Sequence, residues 1–377
     1  MGMAAAILIT ACRPLPSGLR FSDAMPRTAF AATAPIAPDK PRLTFASAGD
    51  FNEGLAPVET GGKFGYIDTT GAFRIPPRFA FAGVFSGNRA PVLLDGRWGY
   101  TDVSGRMAIS AVYRWAGAFR EGLAPVADSA GYAYIDTNGS LIGDDRYDDA
   151  RSYSGGLAAV KTGGEEDGAW GFIDRKGRAA IPGLFAGVAE GFSGGLAAVR
   201  VGTESGYRIG YVDGSGGFAI DTLYDAAEGF SEGLAAVGRG RRGAGRFSGA
   251  WGYVDSTGRL ALPLRYSRAY PFRKGRALVH FPGGGWAFIG RDGAILLAFP
   301  RRMEIGDDTG SGLTSYKLHG LCGYLDEGGK PAITARFLAC GPFRRGWARV
   351  KPYGSGSWSF LDARGRFLGG IIDDTSH

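Results

Sequence analysis

The sequence predicts an all-β fold, a tandem array of about nine three-stranded antiparallel repeats, on three observations. Two short motifs recur in fixed order along most of the chain, starting with Phe51 and Phe64. Within them apolar side chains alternate with the period of two that marks strands. Sixty-five of the 377 residues are glycine, well above the usual share of about 7%, and with no collagen period that excess signals many tight turns.

The first element is an aromatic residue followed by Gly-Leu-Ala-x-Val, as in Phe51 to Val58. It returns at Phe85, Phe119, Tyr153, Phe192, Phe230, Phe272 and Phe343, with a degenerate copy from Thr309 that keeps Gly312 and Leu313. The second element, aromatic-Gly-aromatic-aliphatic-Asp-x-x-Gly, is clearest at Phe64-Gly65-Tyr66-Ile67-Asp68-Thr69-Thr70-Gly71. It recurs at Trp98, Tyr132, Trp170, Ile209, Trp251, Trp286, Cys322 and Trp358. Its Asp-x-x-Gly tail suits a type I turn closed by a glycine at positive φ. Gly65, Gly99, Gly171, Gly210, Gly252 and Gly323 are expected to leave bare backbone for a neighbouring aromatic ring. The third element is Ile75 to Phe79, echoed from Ile109, Ile181, Ile220, Leu262 and Ile333.

One such unit cannot bury its aromatic face alone, so the units must stack on one another. A linear or spiral array is the expected outcome and a β-propeller the alternative. Propellers usually hold about four to eight blades, and 34 residues, the commonest spacing here, is short for a four-stranded blade.

These motifs resemble the bacterial WG-repeat proteins, whose Trp-Gly-Tyr-Ile-Asp core and Gly-Leu-Ala-x-Val lead-in are both present between Phe51 and Gly365. The resemblance implies a β-rich binding module and supplies no catalytic residues.

Three segments follow. Residues 1–12 read as a signal peptide, with an apolar run Ala4 to Ile9 and a stretch Ile9-Thr10-Ala11-Cys12 that resembles a bacterial lipobox, although no Lys or Arg precedes it. Cys12 is then the lipid anchor. Residues 13–50, interrupted by Pro14, Pro16, Pro26, Pro35, Pro38 and Pro41, read as a tether. Leu43 to Ala46 within it are placed as a first edge strand. Residues 51–377 form the repeat domain. The location this implies is the cell envelope, either lipid-anchored or periplasmic or secreted.

Few residues are placed for chemistry. Three His and three Cys leave little for imidazole catalysis or a cysteine metal site, and mean hydropathy of −0.06 fits a globular chain. No cofactor or metal is expected. Gly191-Phe192-Ser193-Gly194-Gly195 and Gly229-Phe230-Ser231-Glu232-Gly233 match the serine-hydrolase pattern, but they are one repeat position and lack the strand-to-helix context. Gly238 to Gly243 matches a dinucleotide loop with no helix to follow it. The column Asp68, Asp102, Asp136, Asp174, Asp213, Asp255, Asp326 and Asp362 reads as turn capping rather than calcium binding. Trp98, Trp170, Trp251 and Trp358 read as core rather than sugar platforms.

Charge breaks the uniformity. Between Phe230 and Arg302 thirteen Lys or Arg face three carboxylates, +10 within a chain of +7, which leaves −3 for the rest. Arg239, Arg241, Arg242, Arg246, Arg273, Lys274 and Arg276 are the candidate anion-binding residues. Cys322 and Cys340 are the candidate disulfide of an exported domain. The function expected is a non-enzymatic binding scaffold displayed at the cell envelope, its partner an unidentified protein or an anionic glycan or envelope component. The membrane is reached through the lipid anchor only and nucleic acid is not the partner. The alternatives are a glycan-active enzyme, using Asp148 or Asp149 with Glu165 or Glu166, and a cytoplasmic interaction protein.

Overall fold

The computed structural model describes residues 41, 43–164, 167–204, 206–243, 246–306 and 311–369. The side chains of Arg242 and Arg246, and all of Cys12, Glu165, Glu166, Thr309 and His377, lie outside the described residues.

The first repeat sets the pattern: β1 (Ser47–Ala48), β2 (Leu55–Thr60), β3 (Lys63–Asp68) and β4 (Phe73–Phe79) form an antiparallel sheet in that order. The sequence elements map onto it directly. The lead-in motif becomes β2, the second motif β3 and the third β4. A fourth strand, β1, is only two residues long and uses the chain just before the lead-in aromatic. That brevity is how a four-stranded blade fits into so short a unit.

Alternation explains the burial. Tyr66 is fully buried on one side of β3 while Ile67 is fully buried on the other, so each blade packs a neighbour on both faces. Tyr66 meets Phe85 of the next repeat with ring centroids 4.8 Å apart. The pair recurs as Tyr100 with Phe119, Tyr134 with Tyr153, Phe172 with Phe192, Tyr211 with Phe230, Tyr253 with Phe272 and Tyr324 with Phe343. Tyr66 Oη also donates to Gly83 O at 2.8 Å, tying each buried hydroxyl to the following blade, as a buried phenol requires. Tyr100, Tyr134, Tyr211, Tyr253 and Tyr324 do the same.

The array closes into a propeller. Phe51 of the first repeat stacks against Phe360 of the last at 4.8 Å, within the 4.7–5.1 Å range of the internal blade-to-blade pairs. Phe45 and Trp358 exchange backbone hydrogen bonds of 2.9 and 2.8 Å, so the segment Leu43 to Phe45 serves as the outer strand of the last repeat before the chain enters β1. Asp50 is paired by Arg349 at 2.6 Å and by Arg344 at 3.1 Å. The closed alternative, not the open array, is therefore the form adopted.

The strands fall into eight hydrogen-bonded sheets, seven of four strands and one of six. By sheets the propeller has eight blades. By sequence repeats it has nine units, because the strand Pro331–Cys340 runs unbroken from the eighth repeat into the ninth and merges their sheets.

The glycine column has a different reason from the one expected. A Cβ on Gly65 would lie 2.5 Å from Ile75 O and 2.7 Å from Pro77 N. The neighbour is the main chain of β4, which bulges between Tyr66 and Phe64, not an aromatic ring. Gly99, Gly171, Gly210, Gly252 and Gly323 face the same bulge in their own blades.

Candidate functional site

Most residues with chemical potential are consumed by the fold. Asp68 Oδ1 accepts from Thr70 N at 2.9 Å and from Thr70 Oγ1 at 2.5 Å, closing the Asp68-to-Gly71 turn. Asp102, Asp136, Asp174, Asp213, Asp255, Asp326 and Asp362 each accept backbone N–H groups of their own turns in the same manner. The hydroxyl two residues on is the first cause that holds the carboxyls of Asp68, Asp102, Asp213 and Asp255 below their ordinary range. Trp170 and Trp251 are buried, and Trp98 packs on Phe81 at 5.5 Å. Among the described residues no three His, Cys, Asp or Glu side chains gather as a metal set would.

The basic residues do not share a face. Arg239 and Arg241 lie toward the tip of the long hairpin Leu234–Gly243 and Arg246–Asp255. Arg273, Lys274 and Arg276 belong to a lead-in turn at the opposite end of the sheets, where Gly275 N donates to Glu232 Oε2 at 2.9 Å. Several are already engaged. Lys274 pairs with Glu327 at 3.5 Å, Arg276 lies over Phe288 at 4.2 Å, and Arg239 Nε donates to Leu223 O at 3.0 Å. The single basic face of the sequence reading is thus split in two, since residues adjacent in sequence sit at opposite ends of a strand several residues long.

The carboxylates of the enzyme alternative are likewise occupied where described. Asp148 accepts from Gly164 N at 2.8 Å, and Asp149 pairs with Arg151 at 3.4 Å. His280 shares a 2.6 Å hydrogen bond with Ser267, and Ser231 Oγ donates to Phe272 O at 2.6 Å.

A cleft of about 580 Å³ opens between the fourth and fifth repeats. Its walls include Arg120, Arg151, Glu190, Ser193, Arg200 and Phe172. Ser193 Oγ and Arg200 Nε are buried without a hydrogen-bond partner. Burial lifts the Glu190 carboxyl above its ordinary range, against the opposing charge of Arg200. The arrangement offers donors and positive charge around one carboxyl.

Residues 43–64, 64–98, 98–127, 132–165, 170–202, 209–240, 251–280 and 323–352 each match the model of the WG containing repeat, more than half of the chain together. The chain belongs to the WG-repeat family. The model passes over the degenerate eighth copy, where Thr309 replaces the lead-in aromatic. No curated protein sequence matches the chain. Among solved structures it is similar to a crystal structure of the eukaryotic initiation factor, with a TM-score of 0.58 and 12% identity over 82% of this chain and 93% of that one. That likeness is one of fold alone. The computationally designed Ika8 protein (TM-score 0.44, 11% identity, 85% and 96% of the two chains) and BamB from Moraxella catarrhalis (0.39, 10%, 85% and 94%) are more distant in geometry.

The cleft marks where the WG repeat departs from its own rules. From the end of the third element to the next lead-in aromatic the chain takes six residues at six joints, as from Phe79 to Phe85, but seven from Phe185 to Phe192. The extra residue lengthens the first strand of the fifth repeat to Gly187–Ser193, whose register shifts between Val188 and Glu190 and again between Glu190 and Ser193. Phe172 stands where six repeats have a tyrosine, so no hydroxyl reaches across to that strand. In the WG turns Ser86, Ser154 and Ser231 donate to the next lead-in carbonyl, a bond that Ser193 lacks. Sequence reasoning passed over Glu190 and Arg200; the seven-residue spacing was the available signal.

The two cysteines of the last WG repeats are bonded. Cys322, in the third strand of the eighth repeat, and Cys340, in the first strand of the ninth, form a disulfide with Cα atoms 6.0 Å apart.

Proposed function

We propose that this WG-repeat propeller is a non-enzymatic binding scaffold of a bacterial cell envelope, exported by its N-terminal signal and held to the membrane by lipid on Cys12. The observation that carries the reading is the Cys322–Cys340 disulfide, because such bonds persist in oxidising compartments outside the cytosol. The ring supports a binding role. Its repeated carboxylates cap turns and its aromatics fill the blade interfaces, so function falls to the surface that varies between repeats. The partner is an anionic glycan or envelope component rather than nucleic acid, and it is met in part by the exposed Arg241 at the hairpin tip of the sixth repeat.

Mass spectrometry of the protein expressed with its native N-terminus tests this in membrane and soluble fractions. The expected result is a diacyl or triacyl mass on Cys12 in the membrane fraction, with Cys322 and Cys340 linked in the non-reduced peptide map. An intact Met1 on a soluble chain with both thiols free overturns it.

A further inference from the structure

We propose that the cleft between the fourth and fifth repeats is a binding site for a sugar acid, a carboxylate-bearing mono- or disaccharide. The inference deepens the binding role proposed above and rests on it.

The cleft exists because one residue was added at one joint of the ring. At six other joints a tyrosine hydroxyl from one blade satisfies a carbonyl at the start of the next, as Tyr134 does with Arg151 O at 2.6 Å. Here Phe172 has no hydroxyl to give, and the strand slips register on both sides of Glu190, which itself pairs with Ala198. The strand Gly187–Ser193 therefore lines an open volume instead of sealing against its neighbour. At about 580 Å³ that volume is in the range of small-molecule sites, about 300–1,000 Å³.

The lining selects the chemistry. Arg120, Arg151 and Arg200 bring three guanidiniums, of which Arg151 is shared with Asp149. Against them the cleft itself holds one carboxyl, Glu190. The balance is cationic, and a guanidinium binds a carboxylate through directional, charge-assisted hydrogen bonds. Arg200 Nε and Ser193 Oγ are donors with no partner in the protein, and a buried donor left unsatisfied is costly unless something accepts from it. The remaining polar lining comes from Ser152 and Ser154 and from the bulged strand, which suits ligand hydroxyls that both donate and accept. A ligand ammonium would find Glu190 alone against three guanidiniums, so an amino acid is a poorer fit than a hydroxylated acid.

Isothermal titration of the full chain with digalacturonate, with galactose, glutamate and inorganic phosphate in parallel arms, tests the site. Digalacturonate is expected to bind one per chain and galactose not to bind. Arg200→Gln is expected to weaken digalacturonate binding about tenfold or more, the scale of one charge-assisted hydrogen bond. Ser193→Ala, which removes only a hydroxyl and is expected to leave the thermal melt in place, should weaken it by a smaller factor. The proposal is overturned if digalacturonate fails to bind, if Arg200→Gln and Ser193→Ala both bind it as the parent does, or if galactose, glutamate or phosphate binds more tightly. Cleavage of digalacturonate during the titration would overturn the non-catalytic reading and leave the site standing. Absence of binding by a protein that is acylated on Cys12 would remove the site and leave the envelope reading standing.

Discussion

Phe51 and Phe360, from the first and last repeats, meet with ring centroids 4.8 Å apart, as closely as Tyr66 and Phe85 do between consecutive repeats. The seam of the ring is therefore packed like any internal joint. Phe360→Ala is expected to cost about 3–5 kcal/mol, the usual loss for truncating a buried phenylalanine, and as much as Phe119→Ala in mid-chain. Denaturant titration of both variants checks this. A terminal variant that costs far less than the internal one would mean that the ring is open.

Gly99→Ala should be strongly destabilising, because its Cβ would sit 2.7 Å from Ala111 N and 2.7 Å from Ile109 O. Backbone cannot rotate away as a side chain can, and overpacking of this kind costs about 1–3 kcal/mol or more. Gly202→Ala is the control. It meets no atom within 4 Å and is expected to leave the melting temperature almost unchanged.

Cys322→Ser with Cys340→Ser is expected to cost about 3 kcal/mol under oxidising conditions, the scale for closing a loop of 18 residues. Reductant should lower the melting temperature of the parent toward that of the variant and leave the variant where it is.

Glu190→Gln should stabilise the protein at neutral pH. Burial is the first cause that raises the Glu190 carboxyl, so the folded state binds its proton more readily than the unfolded chain. The stability linked to that proton is complete at acid pH and is lost as pH rises through the unfolded value, about 4.3, toward the higher folded one. Thermal melts across pH should show parent and variant converging below about pH 4 and separating toward pH 7, with the variant higher.

Arg241→Gln should reduce retention on an anionic resin, because Arg241 is exposed at the hairpin tip. Lys274→Gln should change it less, since Lys274 is paired with Glu327 at 3.5 Å. Salt elution of the two variants on one column compares them directly.

What the sequence revealed follows from what repetition can encode. The capping role of Asp68 and the core role of Trp170 were legible because each depends on local spacing or periodicity, which the repeats display over and over. Closure was not legible. It depends on Phe45 reaching Trp358 and on the short fourth strand, and neither has a motif of its own. Gly65 was flagged correctly as a place of close approach, but spacing cannot say that the approaching group is the β4 bulge. Glu190 and Arg200 stayed hidden for the opposite reason: they lie at a joint where the spacing departs from the pattern, and a search for sameness discards it. The basic segment misled because nearness along a strand pair is not nearness in space.

The strand exchange between Phe45 and Trp358 also orders events during synthesis. Every other joint unites sequence neighbours, so blades can form one after another as they leave the ribosome, at a low entropic cost of loop closure. The segment around Phe45 alone, made near the start, waits for the last blade. Until then the first repeat carries an unpaired flank and the apolar ring of Phe51 uncovered, the kind of exposure that invites pairing with another chain. Completion of the C-terminus is thus the step that ends this exposure, and chains cut short before Trp358 are expected to associate with one another rather than persist as single rings with a gap.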